Sequence, residues 1–326
     1  MSDLFIIGAG ASAAYDFPTG DELYGIIRKL DFSSEEKIKA AYKEYYDKDF
    51  SDYGDGKHIF NFMKSLASEL DNSMMVSIDD FIRNRNYWTP ELNIEAGLIK
   101  RIIAKIIFEY EKNAKEKRIT DWLHYFCSRV DRVYDKDREH IKNFFLKSKF
   151  ITFNYDRLLE YSIYKYFDYD KGIDKNEITA ILKDMNIIHV NGYLGPLYYS
   201  PFGYKENIND ANVREIKTTW DKDTDDKTEK INERISYSNR IFFLGFGYLE
   251  ENMKKLGLTI NTETTNAKIL AGKKIYGTAF GKKEAEIKRI IDILKSCGAE
   301  EKDIEINEKR DAKDLIIDFF NIEVQQ

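Results

Sequence analysis

The sequence predicts an α/β fold: a doubly wound, mostly parallel sheet interrupted by a large helical insertion. Three observations point there. Apolar runs beginning at Phe5 and covering Phe150 to Phe153, Ile187 to Val190, Ile241 to Phe246 and Lys274 to Thr278 each give way to Gly, Asn or other polar residues. That is the pattern of strands walled on both faces that open into loops at their carboxyl ends. Residues 21–147 carry apolar residues at helical spacing and show no strand pattern. The third observation is a charged, periodic run after Gly281, KKEAEIKRIIDILKSCG, which stops at Gly298 as a helix C-cap should.

Taken in order, FIIGAGASA supplies the first strand and a tight turn. Ile38, Ala41, Tyr42 and Tyr45 mark one helical stripe, and Ile59, Phe62, Met63, Leu66 and Leu70 a second. Leu98, Ile102, Ile106 and Tyr110 form a third, followed by Trp122, Tyr125 and Phe126. The expected organisation is one domain over 1–326, with a sheet-bearing core of 1–20 and 148–326 and the insertion 21–147 packed over the face where the strands end. Residues 205–235 are charged and weakly periodic, which reads as a solvated helix or a mobile loop. Ile304 to Ile306 is read as a last edge strand and Leu315 to Phe320 as a closing helix.

Composition narrows the function classes. A chain of 326 residues with 43% hydrophobic content builds a sizeable core. A net charge of −6 argues against a sequence-independent grip on nucleic acid, which needs Lys and Arg gathered on one face. The amino terminus reads as a strand, not a signal peptide, and no apolar stretch approaches the roughly eighteen residues of a membrane span. Cys127 and Cys297, far apart, write neither a disulfide framework nor a Cys-x-x-Cys metal site. A reduced, cytoplasmic protein with a small-molecule or protein partner is expected.

The candidate site lies where strands end, because open α/β sheets bind ligands there. Gly8, Gly10 and Ala13 fit G-x-G-x-x-A, in which glycines let the backbone approach a pyrophosphate; a tight turn with no ligand is the plainer reading. An acidic residue about twenty positions on, at the end of a second strand, is lacking, since Asp31 follows helix-like sequence. Asn154 and Asp156 follow the second strand, and Asn154 serves equally as a helix N-cap or a catalytic group. His189 ends an apolar run just before Asn191 and Gly192, where a neutral imidazole accepts a proton near pH 7. Gly245 and Gly247 make another ligand-approach turn or a tight bend, with Asn252 as a further contributor.

Together these segments resemble the sirtuin (SIR2) family, and specifically the bacterial SIR2-like NAD hydrolases of antiphage defence. The shared pattern is Gly8, Ala9, Gly10 and Ser12, then Thr152, Asn154 and Asp156, then His189 and Gly192, with the later Gly245-x-Gly247 strand end. The resemblance implies a Rossmann-like, NAD-binding fold. It also implies an NAD+ glycohydrolase in which Asn154 holds the nicotinamide ribose and the attacking water and His189 is the base. Asp156 would orient the loop, Gly8, Gly10 and Ser12 would cradle the diphosphate, and the Gly245 segment would meet the adenosine side. The chain departs from protein deacylases of that family. Two lone cysteines cannot supply their four-cysteine zinc module, Phe153 stands where they tend to have Gln, and DFPTG at residues 16–20 only partly echoes their motif. NAD+ is therefore expected as substrate and no metal is expected. A zinc-free ADP-ribosyl or acyl transferase and a non-catalytic nucleotide sensor are the alternatives. Because NAD+ loss kills a cell, control by homo-oligomerisation or by a separate subunit, an ATPase or nucleotide-sensing protein, is expected.

Overall fold

The structure, a computed structural model, describes residues 2–46, 56–75, 77–78, 81, 90–117, 119–203, 210–217, 225–259 and 268–322. Its strands are β1 (Asp3–Ile7), β2 (Lys149–Thr152), β3 (Ile188–His189), β4 (Arg240–Leu244), β5 (Lys274–Thr278) and β6 (Ile304–Asn307). They form one sheet in the order β3-β2-β1-β4-β5-β6, with every neighbouring pair parallel. This is a Rossmann-like arrangement. From β1 the sheet grows first toward β3 and then, from β4 on, the other way, so the switch in strand order, where open α/β sheets bind ligands, falls between β1 and β4.

The strands run parallel and apolar because both faces are covered. Phe5, Ile7, Phe150, Phe242 and Leu244 face one layer of helices, and Leu4, Ile6, Ile151, Ile241 and Phe243 face the other. On the first face Phe5 stacks on Phe150 at 5.2 Å and on Phe242 at 5.1 Å, while Phe126 meets it edge-on at 5.2 Å. Each such ring contributes about 1.5–3 kcal/mol by leaving water. The helices described between β1 and β2 are α1 (Gly20–Arg28), α2 (Glu35–Tyr46), α3 (Gly56–Asn72), α4 (Pro90–Glu116), α5 (Trp122–Val133) and α6 (Arg138–Lys147). α5 lies directly against the sheet through Phe126, which Phe145 of α6 meets in turn, whereas α2 and α3 pack on α4.

Most expected stripes are buried, including Ile38, Tyr42, Tyr45, Leu66, Leu70, Leu98 and Ile102. Tyr125 is not. It is 36% exposed, because Trp122, Phe126 and Val130 at i, i+4 and i+8 define the buried face of α5. Beyond β2 come α7 (Leu158–Lys165) and α8 (Lys175–Asp184), then α9 (Asp210–Glu215) and α10 (Asp225–Ser236). Of the charged stretch 205–235, α10 buries Ile231 and Ile235 under the sheet, while 205–209 and 218–224 lie outside the described residues. α11 (Glu250–Lys255) follows β4, α12 (Glu284–Ser296) follows β5, and α13 (Ala312–Phe319) closes the chain. Gly298 has φ +99°, the left-handed C-cap expected of it.

Candidate functional site

The parallel register sets His189, Thr152, Ile7 and Leu244 side by side across the sheet. The residues after each of them therefore share the carboxyl edge. Among these, β3 is shorter than its apolar run: His189 is its last paired residue and sits inside the ladder, and Asn191 and Gly192 occupy the mouth.

The centre of the edge is a buried polar network. Asn154 donates from Nδ2 to Ser12 Oγ at 3.1 Å, and Ser12 Oγ donates to Asp156 Oδ1 at 3.3 Å. Thr152 Oγ1 accepts from the Asn154 amide at 3.1 Å, which fixes the turn out of β2. Asp156, and not Asn154, serves the next helix: its Oδ1 accepts from Leu158 N at 3.0 Å. Burial pushes the Asp156 carboxyl up to about 7, a rise that the nearby Glu111 reinforces and the bonds from Leu158 and Ser12 oppose. Asn154 is only 6% exposed, and its Oδ1 has no partner among the described residues. A buried acceptor left open in this way costs stability, so it is a place where a ligand hydroxyl or water is favoured.

The glycine turn after β1 has a structural reason of its own. Gly8 N donates to Leu244 O at 2.9 Å and Gly10 N to Gly245 O at 3.0 Å, so both amides are engaged by β4 and the turn that follows it. A Cβ on Gly8 would stand 2.6 Å from Gly245 O, and one on Gly245, at φ +57°, would stand 1.9 Å from Ala11 N. Ala9 opens a 3-10 segment, Ala9–Tyr15, that carries Ser12 inward and is tied to α5 by Trp122 Nε1 donating to Ala11 O at 2.9 Å. Gly247, by contrast, has room for a side chain, and Asn252 is partly buried in α11. Gly192, at φ +71°, lets residues 215–217 cross it, since its Cβ would fall 1.8 Å from Glu215 O.

His189 faces a different neighbour. Its Nε2 lies 2.6 Å from Glu160 Oε1 on α7, and its ring stacks on Tyr193 with centroids 3.9 Å apart. Both residues of the pair are at least nine-tenths buried, and neither His189 Nδ1 nor Glu160 Oε2 has a partner among the described residues. A carboxylate acceptor holds the ring proton on Nε2 and leaves the lone pair on Nδ1. The pair lines a cavity of about 680 Å³ beside the β3 edge. Asn154 and Ser12 do not line it, so the two halves of the expected site meet as adjacent strand ends and share no direct hydrogen bond.

Four contributors were not singled out by the sequence reading. Glu160 breaks the apolar run Leu158, Leu159, Ile163 of α7, a signal visible beforehand. Asn191 donates to Phe153 O at 3.0 Å and accepts from Lys255 Nζ at 2.8 Å, spanning β2 and α11. Arg157, fully buried, makes a two-pronged pair with Glu111 on α4 at 3.0 and 2.6 Å and donates to the carbonyls of Gly195 and Ser200. These bonds tie the loop carrying Asn154 to both α4 and the segment after Gly192. No side chain signal announces the pair, because its partners lie 46 residues apart. Among the described residues no group of His, Cys, Asp and Glu is placed to hold a metal. No helix there is long and apolar enough to cross a membrane. Comparison with models of known protein families and with curated proteins returns no match.

Proposed function

We propose that the chain is a SIR2-like NAD+ glycohydrolase that releases nicotinamide and ADP-ribose. The observation that carries this reading is the open Oδ1 of buried Asn154, held by Ser12 where β1 and β2 end in a Rossmann-like sheet. In the reaction, water oxygen bonds to the ribose anomeric carbon as the bond to nicotinamide breaks. The bonding pair returns to the pyridinium nitrogen, so nicotinamide departs neutral and needs no acid. The site must stabilise an oxocarbenium-like ribose and take one proton from water.

Asn154 Oδ1 supplies an acceptor for the water or a ribose hydroxyl, Ser12 holds its side-chain amide, and Thr152 fixes its backbone. His189 Nδ1 supplies the base, and Glu160 orients the ring and stabilises the imidazolium that forms. His189 ends one strand and Asn154 follows its parallel neighbour, about 4.8 Å away, and the reading requires both side chains to reach one ribose. Gly8, Ala9, Gly10, Gly192, Gly245 and Gly247 shape the floor beneath the dinucleotide. An NAD-depleting role in antiphage defence, controlled by oligomerisation or a regulatory subunit, follows from the same resemblance and belongs to the proposal.

The test is to incubate the purified chain with NAD+, alone and with candidate partners, while nicotinamide is measured. Release that disappears in Asn154→Ala supports the reading. Binding of NAD+ without release under every condition would replace it with a nucleotide sensor.

A further inference from the structure

The cavity beside β3 is built from two helix faces and a loop, and its chemistry is separate from the Ser12, Asn154 and Asp156 network. Tyr161, Tyr164, Lys165 and Asp168 line it at i, i+3, i+4 and i+7, so α7 and the turn continuing it turn one stripe toward the space. α8 contributes Lys175, Thr179 and Lys183, and the segment after β3 contributes Tyr193, Tyr198 and Phe202. Flat aromatic faces are already arranged there, with Tyr161 stacked on Phe202 at 4.1 Å and Tyr193 on the His189 ring.

The charge balance at the mouth is positive. Lys115, Lys165, Lys175 and Lys183 line the cavity, are exposed, and make no ion pair among the described residues. Of the acidic residues lining it, Glu160 is committed to His189, which leaves Asp168 as the carboxylate facing four ammonium groups. Arg157 also lines it, and its charge is answered by Glu111. At the inner end, His189 Nδ1 and Glu160 Oε2 are buried polar atoms without partners. A planar ring between tyrosines, hydroxyls or ring nitrogens against the inner polar atoms, and a multiply charged anion at the lysine rim would satisfy all three features at once. At about 680 Å³ the cavity lies within the range of small-ligand sites.

We propose that this cavity binds a phosphorylated planar-ring compound of the mononucleotide class, in a site beside β3 that shares His189 and Glu160 with the proposed reaction but not Ser12 or Asn154. The tyrosines stack the ring, as aromatic platforms do for nucleobases. The lysines converge from three elements on the phosphates, and the inner polar pair reads the sugar or ring edge. Binding here stands on the cavity and does not require that NAD+ be cleaved.

The experiment is calorimetric titration of the full chain with ADP, adenosine and inorganic pyrophosphate. ADP should bind more tightly than either fragment. Lys165→Gln with Lys183→Gln should weaken ADP by about tenfold or more, since each charge-assisted hydrogen bond to phosphate is worth about that factor. Both lysines are exposed, so the variant should keep its fold, which circular dichroism checks. Ser12→Ala, at the turn proposed to cradle the NAD+ diphosphate and outside this cavity, should bind ADP as the parent does. The proposal is overturned if the parent does not bind ADP, if the double lysine variant binds it undiminished, or if Ser12→Ala loses it, which would place the anion at the β1 turn. Absence of nicotinamide release with lysine-dependent ADP binding intact would remove the proposed reaction and leave this site standing.

Discussion

Replacing Asp156 with Asn tests the polar network through its proton. In the folded chain the Asp156 carboxyl titrates near 7, against an ordinary value of 3.8, chiefly because burial disfavours its charge. Between those two values the folded state holds a proton that the unfolded state has lost. Stability therefore falls as pH rises from about 4 to about 7, and the penalty is fully present above the folded value. At about 1.36 kcal/mol per pH unit the loss approaches roughly 4 kcal/mol as an upper bound, reduced by whatever water reaches the group. Asn keeps an acceptor for Leu158 N and Ser12 Oγ, is close in shape to the protonated acid, and cannot ionise. Asp156→Asn should thus exceed the parent in stability by about 1 kcal/mol at most near pH 4.5 and by about 2–4 kcal/mol at pH 8. Urea unfolding of both proteins at several pH values measures this, and the difference between them cancels the other titrating groups. A stability difference that is the same at pH 4.5 and pH 8 would refute the raised titration and the buried network behind it.

The remaining predictions concern the same edge of the sheet. Asn154→Ala should lower nicotinamide release by about 10²–10³ with a native circular dichroism spectrum, the usual cost of losing one positioned polar group; near-parental turnover removes Asn154 from the mechanism. His189→Ala should cost about 10²–10⁴ in turnover while NAD+ binding by calorimetry is retained, because a base acts chiefly in the transition state. Glu160→Gln should lower turnover less and change its pH profile, and an unchanged profile would reduce Glu160 to a packing role. Glu111→Ala leaves the Arg157 guanidinium buried and unpaired, which costs about 3–5 kcal/mol. With unfolding entropy near 2.1 cal/mol/K per residue, about 0.7 kcal/mol/K for the whole chain, that lowers Tm by roughly 6 °C. Calorimetric scanning reads the shift, and removing both partners as Glu111→Leu with Arg157→Met should recover most of it.

The strand ends were legible because burial on both faces forces an apolar run, and the polar residue that stops it marks the edge. Phe5 to Ile7, Phe150 to Thr152 and Ile241 to Leu244 all behave this way, and Asn154 and Ser12 follow from their positions beyond them. Helix stripes were equally readable, since a 3.6-residue period records which face leaves water; Tyr125 fell outside because Trp122, Phe126 and Val130 set the buried face of α5. What local sequence does not encode is which distant groups meet. The glycines of the first turn looked like a ligand cradle, yet only the register of β1 against β4 reveals that Gly8, Gly10 and Gly245 are pressed together by their own backbones. His189 was visible as a strand-end base, but its direction toward Glu160 and Tyr193 depends on how α7 crosses β3. The Arg157–Glu111 pair likewise arises from packing between segments 46 residues apart, and the cavity from the way α7, α8 and the segment after β3 fold against one another. Periodicity and strand termination are properties of neighbours in sequence, whereas partner choice, cavity shape and the burial that raises Asp156 are properties of neighbours in space.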